Sequence, residues 1–317
     1  MFAWPSITIL LLTLSLTVGC TGELVVEPNP SPPLSYPQVT YPSVNTPTAE
    51  RIQLGKLLFN DRRMSADTTV SCASCHKAEH AFADNTRVST GVHGMAGRSN
   101  APSIMYAAFE PRLLRGSTVP SLEMQVLVPI QESVEFNTNI VALAAHLGKD
   151  TTYQRLSSNA YGRALDAWVI TRAISCFERS LPQFTSTFDT WNRGKQASVL
   201  TTAQLRGYQT FKKQCASCHS GVLFTNHNAI AIPSTVTLND PSLMPGTTTL
   251  KVPSLRNVLR TAPYMHDGSI TTIRGVLDGY MNHAHAHSRT DVRTSSISIT
   301  KEMIEDIEQF LTSLSDR

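Results

Sequence analysis

The sequence has few cysteines, little net charge and no long apolar run, and each shortage excludes a class of protein. Four of the six cysteines in 317 residues stand in two short pairs, which leaves too few for a disulfide framework. The uncharged apolar stretch near the N-terminus, residues 7–18, is too short to cross a bilayer. A formal net charge of +3 gives no indication of nucleic-acid binding.

Residues 1–19 have the pattern of an export signal, because a 12-residue apolar core precedes small residues. The segment ends in Leu-Thr-Val-Gly before Cys20, which is similar to a bacterial lipoprotein box. No Lys or Arg precedes the apolar core, and the leucine lies one place further from the cysteine than is usual, so simple cleavage to a soluble form is the alternative. Both routes predict a periplasmic protein, with membrane attachment only through a lipid on Cys20.

Residues 20–47 are predicted to form a lipidated cysteine followed by a proline-rich tether. Seven of the 18 prolines fall in this stretch, which has little apolar sequence that could form a core. Proline-rich linkers are extended and semi-rigid. We therefore expect the tether to hold the rest of the chain away from a membrane anchor.

Two short runs read Cys-Ala-Ser-Cys-His, at residues 72–76 and 215–219. A Cys-x-x-Cys-His run is the attachment motif of haem c, in which both cysteines form thioethers and the histidine is an axial iron ligand. A thioredoxin-type redox pair and a four-cysteine zinc ribbon are the competing interpretations, but a ribbon needs closer pairs and neither explains the repeated histidine. We therefore predict two covalently bound haems and a protein that handles electrons. The predicted attachment residues are Cys72, Cys75 and His76 for the first haem and Cys215, Cys218 and His219 for the second.

The spacing of apolar residues is helical rather than alternating, and it predicts an all-α chain. Its length allows two haem domains, at 48–200 and 201–317, with the boundary near a Gly-containing stretch from Trp191 to Lys195. Cys176 falls on an apolar helical stripe and is predicted to be a buried structural thiol. The expected helices begin at Thr46-Pro47 and at Thr201 or Thr202, run from about Tyr161 to Leu181, and close the chain from Met303 to Leu314.

The chain resembles the bacterial di-haem cytochrome c peroxidase and MauG family over nearly all of its mature length. The matching stretches are residues 70–76 with 82–84, 98–103, 121–125 with 129–136, and 252–257 with 262–268. The resemblance implies two cytochrome c-like haem domains packed around an interdomain calcium site. It also implies a reaction with H2O2 and a redox or substrate protein as partner.

The resemblance implies that Gln125 and Glu135 line the distal face of the N-terminal haem. Splitting the O–O bond of a peroxide needs a base for the proton of the near oxygen and an acid for the departing one, and Glu135 can act as both. His93 lies in a Gly-rich loop near the place where some members keep a detachable distal histidine. It is equally consistent with a solvated residue, and His80 is predicted to lie at the surface.

The second haem is expected to be an electron relay whose distal ligand is Tyr280, where ordinary members carry Met and MauG-like members carry Tyr. Met281, next in sequence, is the alternative ligand. The resemblance also implies that calcium binds at the Asn100 side chain and at the backbone carbonyls of Thr261 and Pro263, and oxygen ligands suit this ion.

The chain departs from the family at Arg115, which stands where members place a tryptophan between the haems. No tryptophan occurs between Trp4 and Trp168, so the sequence does not identify the residues that carry electrons between the haems. Trp168 and Trp191 are predicted to be structural. The alternating histidines near the C-terminus are predicted to be solvent-exposed rather than a metal site. They are His283, His285 and His287.

Three classes of function follow from these features. The leading one is a peroxide-driven di-haem oxidase of the MauG type that oxidises a protein partner, and Tyr280 favours it. The second is a cytochrome c peroxidase that reduces H2O2 with electrons from a small periplasmic cytochrome or cupredoxin, which His93 favours. A plain electron carrier is the third, and the pair Gln125 and Glu135 disfavours it.

Overall fold

The computed structural model describes residues 34–194, 199–231, 249–282 and 296–317. The described residues are rich in helix, as the predicted fold class requires. The helices are α1 (Ala49–Asn60), α2 (Cys72–Cys75), α3 (Leu122–Gln125), α4 (Leu127–Gln131), α5 (Ile140–Leu147), α6 (Thr151–Tyr161), α7 (Ala167–Arg179), α8 (Thr187–Asn192), α9 (Thr202–Gln214), α10 (Ile273–Met281) and α11 (Lys301–Thr312). Short 3-10 turns lie at Ser43–Asn45, Arg62–Met64, Ala78–His80, Val92–Gly94, Ala107–Phe109 and Val258–Arg260.

A small antiparallel hairpin corrects the expectation of a purely helical chain. It consists of β1 (Ala229–Ala231) and β2 (Thr249–Lys251), with Ile230 opposite Leu250. Lys251 donates its backbone N–H to the carbonyl of Arg115, 2.9 Å away. The hairpin thereby joins the C-terminal half of the chain to the loop that precedes α3.

The described residues form two hydrophobic cores, each built on a pair of closely packed helices. In the first core α1 lies against α7, and a Cβ added to Gly55 would be 1.9 Å from the carbonyl oxygen of Ala173. In the second core α9 lies against α11, where a Cβ on Gly207 would be 1.9 Å from the carbonyl oxygen of Asp306. Glycine is therefore the residue that lets the backbones approach in both cores.

The helix predicted from about Tyr161 to Leu181 is present as α7, but it begins later than predicted, at Ala167. α6 ends where Gly162 adopts the left-handed conformation, with φ of +67°. α7 starts after Asp166, whose side chain accepts from the N–H of Val169 at 2.8 Å. An acidic N-cap of this kind opens a new helix.

The predicted start of α9 agrees with the structure. Thr201, one of the two residues predicted to open this helix, is its N-cap and forms a reciprocal capping box with Gln204. The start of α1 was placed too early, since Thr48 is the N-cap and its hydroxyl accepts from Arg51 N–H at 3.2 Å.

Residues 34–47 are packed against the body of the protein, which corrects the expected extended tether. Leu34 and the Asn192 side chain exchange two hydrogen bonds of 2.9 Å. Asn45 is fully buried and donates to the carbonyl of Arg172 at 3.0 Å. We call residues 34–47 the strap, because Leu34 packs against both cores.

The packing also shows how the middle of the chain is divided. Cys176 is fully buried in α7, which confirms the predicted structural thiol. Phe188 and Trp191 in α8 belong to the second core, and Trp191 therefore lies in a helix rather than in a boundary loop. The predicted domain limits at residue 200 stay a prediction, but the residues of the second core already begin in α8.

His80, expected at the surface, is half-buried.

A buried ion pair lies where the two cores meet. Arg256 and Asp189 have fully buried side chains and form two hydrogen bonds with each other. Arg256 also donates from Nε to the carbonyl of Val222 at 2.7 Å, and Asp189 accepts from the Tyr36 hydroxyl at 2.8 Å. The pair therefore connects α8, the strap and the loop that follows the second haem motif.

No helix in the described ranges has the length and apolar character that crossing a membrane requires.

The close approach of α9 and α11 predicts that Gly207→Ala destabilises the protein. In an exposed helix Ala would stabilise by about 1 kcal/mol relative to Gly, but here the new methyl group meets the backbone of α11 and should cost roughly 1–3 kcal/mol. Thermal unfolding of the holoprotein measures the effect. Gln209→Ala, on the same helix, is the control and should change stability by less than about 0.5 kcal/mol. Equal stability of Gly207→Ala and wild type would contradict the close contact.

Candidate functional site

The first Cys-x-x-Cys-His run forms a single helical turn that positions its histidine. Ser71 caps α2 through a reciprocal contact with Ser74, and His76 N–H closes the turn on the carbonyl of Cys72 at 2.9 Å. The Nδ1 atom of His76 lies 3.0 Å from the carbonyl oxygen of Phe82, which acts as its acceptor. This bond fixes the tautomer and leaves Nε2 as the coordinating atom.

The second run repeats this arrangement in the other core. His219 N–H bonds to the carbonyl of Cys215 at 2.9 Å, and its Nδ1 lies 3.0 Å from the carbonyl oxygen of Phe224. Burial lowers the pKa of both histidines, His76 and His219, which favours the neutral imidazole that binds a metal. The two sites are therefore prepared for the same kind of axial ligation.

The four motif cysteines fit thioether attachment. They are all free thiols, as is Cys176, the other cysteine in the described residues. Burial, as the largest cause, raises the pKa of Cys75 to about 11 and that of Cys215 to about 12. Two half-buried thiols beside a histidine whose Nδ1 is already hydrogen-bonded are the groups that thioether attachment and axial ligation of haem require. Within the described ranges, His, Cys, Asp and Glu form no cluster of three that could hold a metal ion.

Glu135 lies on the side of the first motif. After burial, its charge contributes to the raised pKa of Cys72 and of Cys75, which puts the carboxylate within electrostatic range of both thiols. The carbonyl of Glu135 also accepts from Val92 N–H at 3.1 Å, which joins it to the Gly-rich loop of His93. The structure therefore brings together three features predicted from separate parts of the sequence: the first haem motif, the acid–base glutamate and the histidine loop.

His93 itself lies beside Asp67 in the structure. Its side chain is 61% exposed, and Nδ1 lies 3.5 Å from a carboxylate oxygen of Asp67. Its backbone is left-handed, with φ of +55°, and glycines occupy positions 91 and 94. His93 and Asp67 line a cleft of about 590 Å³ that reaches Ser74 in the first motif.

Gln125 ends α3 and is half-buried. The helix is anchored by Ser121, which caps its N-terminus, and by Glu123, which binds Arg179 of α7 through two hydrogen bonds of 2.6 and 3.0 Å. A rigid support of this kind holds Gln125 in place against the first core. The predicted role of Gln125 on the distal face stays a prediction.

Tyr280 lies in the last turn of α10, close to the second haem motif. Burial, then the neighbouring charges of Cys215 and Cys218, raise the pKa of its phenol to about 12. Met281 also packs against the second core, so the structure leaves the choice of ligand between Tyr280 and Met281 open. The contribution of both cysteines to this shift puts Tyr280 within electrostatic range of the second motif, and its role as an iron ligand stays a prediction.

The three residues expected to bind calcium lie on two neighbouring segments. Asn100 is buried, and its N–H donates to the carbonyl of His266 at 3.0 Å, which joins its loop to the segment of Thr261 and Pro263. The guanidinium of Arg115 hydrogen-bonds to the carbonyl of Asn100. A cationic side chain thus stands beside the expected ion site.

Sequence analysis missed Glu178, a buried carboxyl on α7. It is 5% exposed, and among the described residues its Oε2 has no hydrogen-bond partner. Burial raises its pKa to about 8, and its charge contributes to the shift at Cys72. The only signal in the sequence was a glutamate beside Cys176 and Phe177 on an apolar stripe.

The ring centroid of Trp168 lies 4.3 Å from the guanidinium of Arg172, in agreement with a structural role.

Several predicted features lie outside the described residues. These are the export signal, Cys20 and the first part of the tether, together with His283, His285 and His287.

Comparisons with known proteins agree with the two haem sites. The family model for di-haem cytochrome c peroxidase matches residues 49–197. The chain is 30% identical to the methylamine utilization protein MauG of Methylophilus methylotrophus over 76% of this chain and 75% of that protein. It is 32% identical to the cytochrome c peroxidase Ccp of Escherichia coli, over 72% of this chain and 52% of that protein.

A solved structure described as a MauG-like protein associated with microbial copper homeostasis has the same fold. The TM-score is 0.79 with 28% identity, over 89% of this chain and 94% of that one. The di-haem peroxidase BthA of Burkholderia thailandensis superimposes with a TM-score of 0.71 at 23% identity, over 86% of this chain and 87% of that chain.

The paired motifs predict two covalent haems per chain, each lost independently. Replacing both Cys215 and Cys218 by Ala should halve the haem retained after acid–acetone extraction, measured as the pyridine haemochrome. Cys176→Ala is the matched control and should keep the full amount, because this thiol is buried in α7 and belongs to neither haem motif. Full retention in the double variant would contradict attachment at the second motif.

Proposed function

Because the chain belongs to the di-haem cytochrome c peroxidase family, which includes MauG and the cytochrome c peroxidases, we propose that it uses H2O2 to oxidise a protein partner. The chain is a haem-dependent oxidoreductase, and the family shares two c-type haems. The single observation that supports the finer proposal is that Tyr280 packs against the second core together with Cys215, within electrostatic range of both motif cysteines.

Haem, when bound at the two motifs, supplies the iron that reacts with peroxide and stores its oxidising equivalents. Tyr280 offers a phenol oxygen to the second of these sites. An anionic oxygen ligand favours oxidised iron, whereas a thioether favours reduced iron. The raised pKa of the phenol means that ligation must replace its proton, so the oxygen would bind as phenolate. A second site that retains oxidising equivalents suits an oxidase better than a relay that delivers electrons.

At the first site, Glu135 is proposed to move protons. Its carboxylate lies within electrostatic range of Cys72 and Cys75, which supports the proposal that it takes the proton of the near peroxide oxygen. The same group can then return the proton to the departing oxygen. Gln125 is proposed to orient the peroxide from α3.

A cytochrome c peroxidase that takes electrons from a small periplasmic protein is the alternative. The loop of His93 supports it, because the loop is joined to the backbone of Glu135 and has glycines on both sides of the histidine. A histidine on such a loop could move between the 61% exposed position and the first haem site. A plain electron carrier has no use for Glu135 beside the first motif.

The partner is proposed to be a periplasmic protein with an accessible oxidisable side chain. The relatives named MauG support a protein partner, and one structural neighbour is described as associated with copper homeostasis. Export through the N-terminal signal and anchoring through Cys20 are proposed with it, because covalent haem attachment requires an exported chain in bacteria. We also propose that calcium binds at Asn100, Thr261 and Pro263, supported by the hydrogen bond that joins the two segments.

Replacing Tyr280 tests the choice between oxidase and peroxidase. In Tyr280→Phe we expect the low-spin EPR signal of the second haem to change and the state formed from the fully ferric protein with one equivalent of H2O2 to decay faster. Met281→Leu is the matched control and should leave both unchanged. The assignment is wrong if Met281→Leu alters the signal and Tyr280→Phe does not.

Glu135→Gln tests the proton transfer at the first haem. Loss of a general acid–base group typically slows such a step by about 100-fold or more. We expect that loss in the stopped-flow rate of reaction with H2O2, with the haem spectra unchanged. Glu132→Gln, a nearby glutamate that lies 3.5 Å from Arg98, is the control and should react at the wild-type rate. An unaltered rate in Glu135→Gln would remove Glu135 from the mechanism.

A further inference from the structure

We propose that Tyr106 is a redox relay between the two haem sites and that Asp316 takes up its proton. The side chain is 6% exposed and belongs to the first core, while its hydroxyl reaches the C-terminal end of the chain. There it hydrogen-bonds to the Asp316 carboxylate and lies against the carbonyl of Gln183. The inference rests on the proposed function only for the source of the oxidant, which is haem oxidised by H2O2.

Tyr106 is close in the structure to the residue that orients the first haem ligand. The carbonyl of Phe82 accepts from His76 Nδ1 at 3.0 Å and also from the N–H of Ile104 at 3.2 Å. Ile104 precedes Tyr106 by two residues. One hydrogen-bonded carbonyl and a short stretch of backbone therefore separate the His76 ring from the segment that carries the phenol.

Contacts on the other side of Tyr106 lead to the second haem ligand. The guanidinium of Arg256 lies 5.5 Å from the centroid of the Tyr106 ring. Arg256 Nε donates to the carbonyl of Val222 at 2.7 Å, and Val222 lies two residues before Phe224, the acceptor for His219. Tyr106 thus stands between the two loops that hold the axial histidines.

The surroundings of Asp316 are nearly symmetric, and Tyr106 breaks the symmetry. Ser103 donates to the carbonyl of Ala81 after the first motif, as Ser254 donates to the carbonyl of Leu223 after the second. Three residues beyond each serine stand Tyr106 and Asn257, and both hydrogen-bond to the same oxygen of Asp316. Of these two equivalent positions, only the one occupied by a phenol can be oxidised.

The environment of Tyr106 favours loss of an electron together with a proton. Burial raises the pKa of the phenol, so it remains protonated until it is oxidised. The structure holds a proton acceptor at hydrogen-bond distance, since Asp316 Oδ2 faces the hydroxyl. Asp316 is itself held by the N–H of Thr185 at 3.0 Å and by Asn257 at 2.8 Å, which keeps the acceptor in position.

The step balances without a further reagent. One electron passes from Tyr106 to the oxidised haem, the Oη–H bond breaks, and the proton forms an O–H bond with Asp316 Oδ2. The products are a neutral tyrosyl radical, a protonated Asp316 and a haem reduced by one electron. An electron from the other haem and return of the proton from Asp316 restore the phenol.

The test is a rapid freeze-quench EPR experiment on the diferric holoprotein mixed with H2O2. We expect a tyrosyl radical signal that changes its hyperfine pattern when the protein contains ring-deuterated tyrosine. Tyr106→Phe should abolish that signal and slow the equilibration of oxidising equivalents between the haems. Asp316→Asn, which keeps the size of the side chain but removes the base, should diminish the radical as well.

Tyr153→Phe is the matched control, because Tyr153 is a buried tyrosine whose hydroxyl donates to Asp61 at 2.8 Å, away from the contact between the cores. This variant should retain the radical and the wild-type rate. A radical that persists in Tyr106→Phe, or equilibration at the wild-type rate in that variant, would overturn the relay.

A second measurement separates the relay from the proposed function. Flash-quench oxidation with a ruthenium(III) polypyridyl complex oxidises the haems without peroxide. If Tyr106 forms a radical in that experiment while H2O2 leaves both haems unchanged, the relay stands and the peroxide reaction is rejected. Oxidised haems in either experiment with no tyrosyl radical in the wild type would reject the relay alone.

Discussion

The buried ion pair between Arg256 and Asp189 is the constraint on which the arrangement of the two cores depends. Burial alone would lower the pKa of Arg256 and raise that of Asp189, but their mutual hydrogen bonds reverse both effects, so each group stays charged. Breaking a buried pair by removing one partner typically costs about 3–5 kcal/mol, because the remaining charge has no compensation. Asp189 also caps α8 through Ser186 and receives Tyr36 from the strap, so loss of the pair would release the strap and α8 together.

The haem motifs could be predicted because their chemistry is local. In each motif a single turn positions the histidine. The backbone carbonyl of a phenylalanine five or six residues after that histidine then fixes its tautomer. The N-cap Thr201 could be predicted for the same reason, because the residues of its capping box are close together in the sequence. Tyr280 and Glu135 are predicted through the resemblance, and each lies within electrostatic range of motif cysteines in the structure.

The rest depends on contacts between distant residues. The strap has the composition of a linker, yet Leu34 binds Asn192, 158 positions away. The break at Gly162 was hidden because apolar residues on both sides share a helical period, while the left-handed conformation that ends α6 carries no apolar signal. The roles of Glu178 and Asp316 also could not be predicted from the sequence. A carboxyl gains its role from a fold that buries it, and no short pattern specifies that burial.

The two haem sites are built alike around their histidines and differ in what surrounds them. The first adjoins a loop with two glycines and an exposed histidine, beside a cleft that reaches Ser74 of the motif. The second lies within electrostatic range of Tyr280 in the last turn of α10. Peroxide chemistry needs a proton carrier, whereas storage of oxidising equivalents is favoured by an anionic oxygen ligand. The difference in surroundings therefore supports the proposed division of labour within one chain, and the Arg256–Asp189 pair holds the two cores in the fixed relation that electron transfer between the proposed sites would require.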